Sequence, residues 1–224
     1  MTPEPVVHPL TVELARVGDE TARAVLAILD AVEGGLYPPG SLPDLAAVLM
    51  RLGARQAAEL VLADYAATVA PAAGGVPPAA ALTPVSSVAE QRASSAVATV
   101  LAGPPEQVRT RLERLTRSAV VRAGQDTRAR AVARDPNVEG WRRGLDSDAC
   151  QLCRWWWRDG RVWPKDHHMP RHPGCSCVQV PVVVSTGVKG VSKEAYEDST
   201  ARRELDRRGK YLDSFGTDRR HTSR

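Results

Sequence analysis

Seven residues with metal-ligating side chains fall in one short stretch: Cys150, Cys153, His167, His168, His172, Cys175 and Cys177. They include every cysteine of the chain and three of its five histidines. Their skeleton is C-x2-C, eighteen residues, then H-x2-C-x-C. Two donors separated by two residues can grip one ion from a tight turn. Two such turns brought together supply four N/S donors in a tetrahedron, the arrangement that structural Zn²⁺ takes. Pro170, Pro173 and Gly174 shape the second turn. The first choice of ligands is Cys150, Cys153, His172 and Cys175. Cys177 could replace Cys175, and an all-thiolate set is also open. A disulfide, or free thiols without metal, are the competing readings, and a reducing cytoplasm favours metal over disulfide. Asp166, His167 and His168 read as surface or supporting groups. A structural zinc is worth on the order of 10 kcal/mol of folding energy, which matters in a segment with few aliphatic side chains.

Short pieces must position these donors. "VEGWRRGLD", "GRVWP" and "CVQVPVVV" are β-branched or aromatic and are separated by Gly, Asp and Pro, which predicts short strands. Pro181 places the last of them at a sheet edge. Trp155, Trp156 and Trp157 are three consecutive indoles. On a strand, side chains alternate between faces, so at least one indole is expected to be exposed or covered by a partner. They are candidate partner-binding or base-stacking residues, or a substitute core.

The preceding chain reads as helices. Leu14, Val17, Thr21, Ala24, Ile28 and Val32 recur at steps of three and four, which predicts a helix over 10–33 that stops at Gly34-Gly35. A second helix or helix pair is expected over 43–69, with Leu45, Leu49 and Leu52 on one face and a break near Gly53. The four Pro and two Gly of 71–87 predict a linker or extended arm. Residues 88–101 read as a weakly patterned helix. The longest helix is expected from "GPP" at 103–105 to Arg134. Its apolar stripe is Val108, Leu112, Leu115, Ala119 and Ala123, and Arg109, Arg111, Arg114, Arg117, Arg122, Arg128, Arg130 and Arg134 crowd its other faces. The class is therefore α+β: a mostly helical N-terminal two-thirds and a small Cys/His-rich β-subdomain near the C-terminus. The expected organisation is an acidic helical region 1–70, a linker 71–87, a domain 88–184, and a charged helical tail 185–224.

Charge is distributed unevenly. Residues 1–100 carry 5 Lys/Arg against 10 Asp/Glu, residues 101–165 carry 14 against 8, and residues 166–224 carry 11 against 8. An acidic and a basic half suggest two kinds of surface, the basic one suited to nucleic acid or an acidic protein, although a solvated Arg-rich face is the simpler alternative. Arg109, Arg111, Arg114, Arg117 and Arg122 are the candidate DNA- or partner-binding residues. The first twenty residues lack a basic start followed by an apolar core, and no run approaches the ~18 apolar residues of a membrane span. A cytoplasmic origin and no membrane partner are expected.

The segment "DPNVEGWRRGLDSDACQLCRWWWRDGRVWPKDHHMPRHPGCSCVQVPV", reached through a long Arg-rich helix, resembles the C-terminal signature of the Mu F-like minor head proteins of tailed phages, the actinobacteriophage type above all. The matching positions are Trp141, Asp146 or Asp148, Cys150, Cys153, Gly160, Pro170, His172, Cys175 and Cys177, and the resemblance covers roughly 105–184. It implies a non-enzymatic structural virion protein located in the capsid interior at the portal vertex. Such a protein acts in procapsid assembly and DNA packaging or delivery. Its implied partners are the portal protein, the scaffold or major capsid protein, and packaged double-stranded DNA. Some relatives are labelled capsid maturation proteases, but the chain has neither a G-x-S-x-G elbow nor H-E-x-x-H. "DHHMP" at 166–170 also resembles the metal-binding core of HNH nucleases, without the downstream Asn and helical His of that family. A zinc-ribbon nucleic-acid-binding protein is the third alternative.

Overall fold

Small residues decide how the helices meet. The computed structural model describes residues 7–85 and 90–184. Helix α1, Pro9–Glu33, starts where the His8 ring accepts a hydrogen bond from Leu10 N and Pro9 occupies the first turn, and it ends at Gly34. Helix α2, Leu42–Ala73, follows a single 3-10 turn at Pro39–Ser41. The expected break at Gly53 does not occur. Gly53 lies inside α2 because the neighbouring helix approaches it: a Cβ there would sit 2.2 Å from Thr21 Oγ1. The buried face of α2 is Ala46, Ala47, Met50, Ala54, Ala57, Ala58, Val61, Tyr65 and Val69, while Leu52 is exposed. A stripe of alanines lets the backbones pack closely, so many short contacts replace a few large anchors.

Helix α3 is Glu90–Leu101 and helix α4 is Pro105–Arg134. Helices α1, α2 and α4 pack against one another, and α3 lies mainly on α2, where Ser94 Oγ donates to Asp44 (2.8 Å). The expected apolar stripe of α4 is the face it buries: Leu112 and Ala123 are fully buried, and Val108, Leu115 and Ala119 pack against the cluster of Val25, Leu29, Leu42, Met50 and Val97. The stretch 71–87 begins as the last turn of α2, with Pro71 inside it. Gly74 then takes a left-handed φ of 70°, which only glycine adopts without cost. Ala81 is buried with Tyr65, Val69 and Trp141, and Val85 N donates to Thr127 Oγ1 (3.2 Å). This part of the stretch is therefore packed on the helices rather than free.

Strands β1 (Val138–Gly144), β2 (Trp163–Pro164) and β3 (Val178–Val183) form one antiparallel sheet in the order β2-β1-β3. Pro181 lies on an edge strand, as its missing N–H requires. Trp141 at the centre of β1 is fully buried, and its Nε1 donates to His167 O (3.1 Å). The molecule is α+β as expected, helical through Arg134 with the sheet after it. The three indoles are the exception. They lie on a short helix, α5, Gln151–Trp157, not on a strand. Residues 7–184 belong to one unit, with α1 and α2 packed directly on α4. The expected helical tail at 185–224 lies outside the described residues.

Candidate metal centre

The cysteine and histidine donors meet where α5 faces the turn before β3. Cys150 caps α5 in an extended conformation and Cys153 sits one turn on. After α5 the chain reverses through Arg158, Asp159 and Gly160, all at positive φ. The loop then returns to His172, and Gly174 at φ 83° closes the turn into Cys175 and Cys177.

His172 Nε2 lies 3.2 Å from Cys150 Sγ and 3.1 Å from Cys153 Sγ, and Cys153 Sγ lies 3.5 Å from Cys175 Sγ. Two triads result, Cys150–Cys153–His172 and Cys153–Cys175–Cys177, each with donor atoms within 4.8 Å of one another and with Cys153 in common. None of the four cysteines is in a disulfide. Around one tetrahedral ion with bonds of about 2.0–2.3 Å, donors sit roughly 3.5–3.8 Å apart. The observed spacings of 3.1–3.5 Å lie at or a little below the lower end of that range, in two triads that share Cys153. His172 Nδ1 is 2.9 Å from Pro173 O. A carbonyl can only accept, so Nδ1 donates to it, and Nε2 is the ring nitrogen that faces the thiols.

The surrounding residues hold this arrangement in place. Gln125 of α4, almost fully buried, donates from Nε2 to both Cys175 O (2.9 Å) and Cys177 O (2.8 Å). Asp146 accepts from Ser176 N (3.1 Å) and Ser176 Oγ (2.8 Å). Burial, and then the neighbouring Cys177, push its carboxyl above the usual range. Arg143 of β1 is buried, donates to Pro170 O, approaches Cys153 Sγ (3.9 Å), and lies over the Trp156 ring (5.3 Å). The Cys150 thiol is lowered, first by the Cys153 backbone N–H. The Cys175 thiol is lowered to about 3 because the Cys153 and Cys177 thiols donate toward it. Leu145, Ala149, Cys153, Cys175 and Cys177 form the lobe's own small core, with Trp156 and Trp157 against it. The donors are therefore part of the packing, and the Cys/His groups are close enough to bind a metal ion.

All five proposed ligands, Cys150, Cys153, His172, Cys175 and Cys177, are thus brought together. Asp166, His167 and His168 belong to neither triad. His167 stacks on Trp163 (4.5 Å between centroids). Of the indoles, Trp155 is 56% exposed beneath the Arg158 guanidinium (4.1 Å), whereas Trp156 and Trp157 pack inward. The arginines separate into distinct environments. Arg109 pairs with Asp30, and Arg117 with Asp19 (3.0 Å). Arg128, expected on an outer face, is fully buried: it pairs with Asp64 (2.8 Å), donates to Gln179 O (2.8 Å) and covers the Tyr65 ring. Aspartates of α1 and α2 thus pair with arginines of α4 at three points, two on the surface and one buried. Arg111, Arg114 and Arg122 are exposed. Gln125, Arg143 and Ser176 were not singled out in the sequence, since a lone Gln on a helix and a paired Arg on a strand carry no local signature.

No helix of the described residues is long and apolar enough to cross a membrane. No curated protein and no solved structure matches the chain. A family model described as VG15 protein matches residues 17–202. That span takes in most of the helical bundle and the whole Cys/His lobe, so the chain belongs to the VG15 protein family, a family of phage gene products.

Proposed function

We propose that this phage protein is a structural minor head protein, associated with the portal inside the capsid and acting in procapsid assembly and in packaging or delivery of DNA. The reading rests on one conjunction. A chain of a phage gene-product family ends in a segment resembling the Mu F-like signature, and that segment's Cys and His positions converge in a lobe docked on a long Arg-rich helix. In this reading the lobe's ion is Zn²⁺, held by Cys150, Cys153, His172 and Cys175, because a set of thiolates and one imidazole suits a borderline-soft ion that needs no redox change. Cys177, fully buried beyond Cys175, remains the alternative fourth thiolate. The zinc supplies cross-linking energy and no catalysis. In this reading His167, stacked on Trp163, has a packing role.

The test has two arms. Mass spectrometry of purified virions should detect the chain in low copy number, and the purified chain should co-sediment with portal oligomers. Absence from virions, together with no portal binding, would overturn the head-protein reading. Elemental analysis of the purified protein should find about one zinc per chain, lost in Cys153→Ser. A metal-free wild type with unchanged folding would overturn the zinc assignment.

A further inference from the structure

The arginines of α4 sort by angle around the helix. At 100° per residue, Arg109, Arg117 and Arg128 fall within an arc of about 100°, and each is paired with an aspartate of α1 or α2. Arg111, Arg114 and Arg122 fall with Ser118 within a separate arc of about 80°, along roughly 16 Å of helix axis. All three are exposed, and among the described residues none has a carboxylate partner. Glu113, the acidic neighbour in sequence, projects on the paired side. The stripe runs toward the metal lobe, where Ser118, Arg122, Arg171 and His172 line one shallow depression that Arg117 of the paired face borders.

We infer that this unpaired stripe is a contact surface for the phosphate backbone of double-stranded DNA. A protein partner is the weaker fit. Interfaces between proteins centre on apolar or aromatic anchors, and this arc presents Arg111, Arg114, Ser118 and Arg122, with no large apolar side chain among them. Arginine and serine are what phosphate contacts use. No aromatic side chain stands on the stripe, so it has no platform for stacking single-stranded bases. The contact is therefore sequence-independent. The fold gives Arg109, Arg117 and Arg128 of the same helix aspartate partners and, among the described residues, gives Arg111, Arg114 and Arg122 none.

The inference stands apart from the head-protein reading. A chain that binds duplex but is missing from virions would fail that reading and keep this one, and the reverse result would do the opposite. The experiment is anisotropy of a labelled random-sequence duplex with the full-length protein over a salt series. Three phosphate contacts contribute a log–log slope of about −2.7, equivalent to an affinity loss of about 40-fold between 50 and 200 mM salt. In Arg111→Gln/Arg114→Gln/Arg122→Gln the slope should become shallower by about that amount. Arg109→Gln, which removes one charge from the paired face away from this depression, should keep the wild-type slope. No duplex binding at 50 mM salt, or an equal change in both variants with circular dichroism unchanged, would overturn the assignment. So would competition by polyglutamate as effective as competition by unlabelled duplex, which would assign the stripe to an acidic protein.

Discussion

Gln125→Leu tests how the metal lobe is tied to the helical bundle. The substitution nearly preserves side-chain volume, so little cavity is created. It removes the two hydrogen bonds donated to Cys175 O at 2.9 Å and Cys177 O at 2.8 Å and the longer one accepted from Arg171 at 3.5 Å, and Gln125 is only 4% exposed. Each such bond is worth about 1 kcal/mol net, and a buried carbonyl left without a donor costs about 1–3 kcal/mol. The two lost carbonyl bonds and the burial of the two carbonyls together put the loss at about 2–4 kcal/mol. For a folded unit of this size each kcal/mol lowers Tm by about 2–4 °C. Those carbonyls belong to two of the candidate ligands, so the substitution also frees the C-x-C turn to wander. Loss of such a supporting contact weakens metal affinity by about 10–100-fold. The assays are urea unfolding of the metal-loaded protein followed by tryptophan fluorescence, and competition for zinc against a chromophoric chelator. A stability change below about 0.5 kcal/mol with unchanged zinc affinity would refute the reasoning, because the turn would then be held without α4.

Other perturbations have equally definite outcomes. If the lobe holds the proposed zinc, chelation should abolish the near-ultraviolet signal of Trp156 and Trp157 while most far-ultraviolet helix signal persists, since the cysteines make up the lobe's core but not that of the bundle; retention of the near-ultraviolet signal would refute a metal-dependent lobe. Gly53→Ala should destabilise by about 1–3 kcal/mol despite the ~1 kcal/mol helix-propensity gain, because the new methyl meets Thr21 Oγ1 at 2.2 Å; a stabilised protein in thermal melts would contradict the close approach. Arg128→Met should cost about 3–5 kcal/mol in urea unfolding, since Asp64 loses its buried partner; a neutral result would show that the pair is dispensable. Burial lowers the pKa of His8 and of His167. The unfolded chain therefore binds more protons just below pH 6.5, and stability should fall as pH drops from there toward the folded values. His8→Gln should reduce that slope, and an unchanged slope would refute the contribution of His8.

The chain's local chemistry fixes much of this molecule. The 3.6-residue spacing from Leu14 to Val32 and from Val108 to Ala123 marks two helices and, for the second, the face it buries. Pro181 marks an edge strand, and the C-x2-C and H-x2-C-x-C spacings mark the donors that converge. These features are readable because each depends on bonds or sterics within a few residues. Other features depended on neighbours distant in sequence. Gly53 continues a helix because Thr21 leaves room only for a glycine, and the triple Trp forms a helix because Cys150 and Cys153 must face His172 from consecutive turns. Gln125 is recruited by carbonyls fifty residues away. Above all, the net charges of the two halves are visible in the sequence, but not their pairing. Whether an arginine of α4 meets Asp19, Asp30 or Asp64, or faces solvent, is set by its angle on the helix and by which helix packs beside it, and only the tertiary structure decides that.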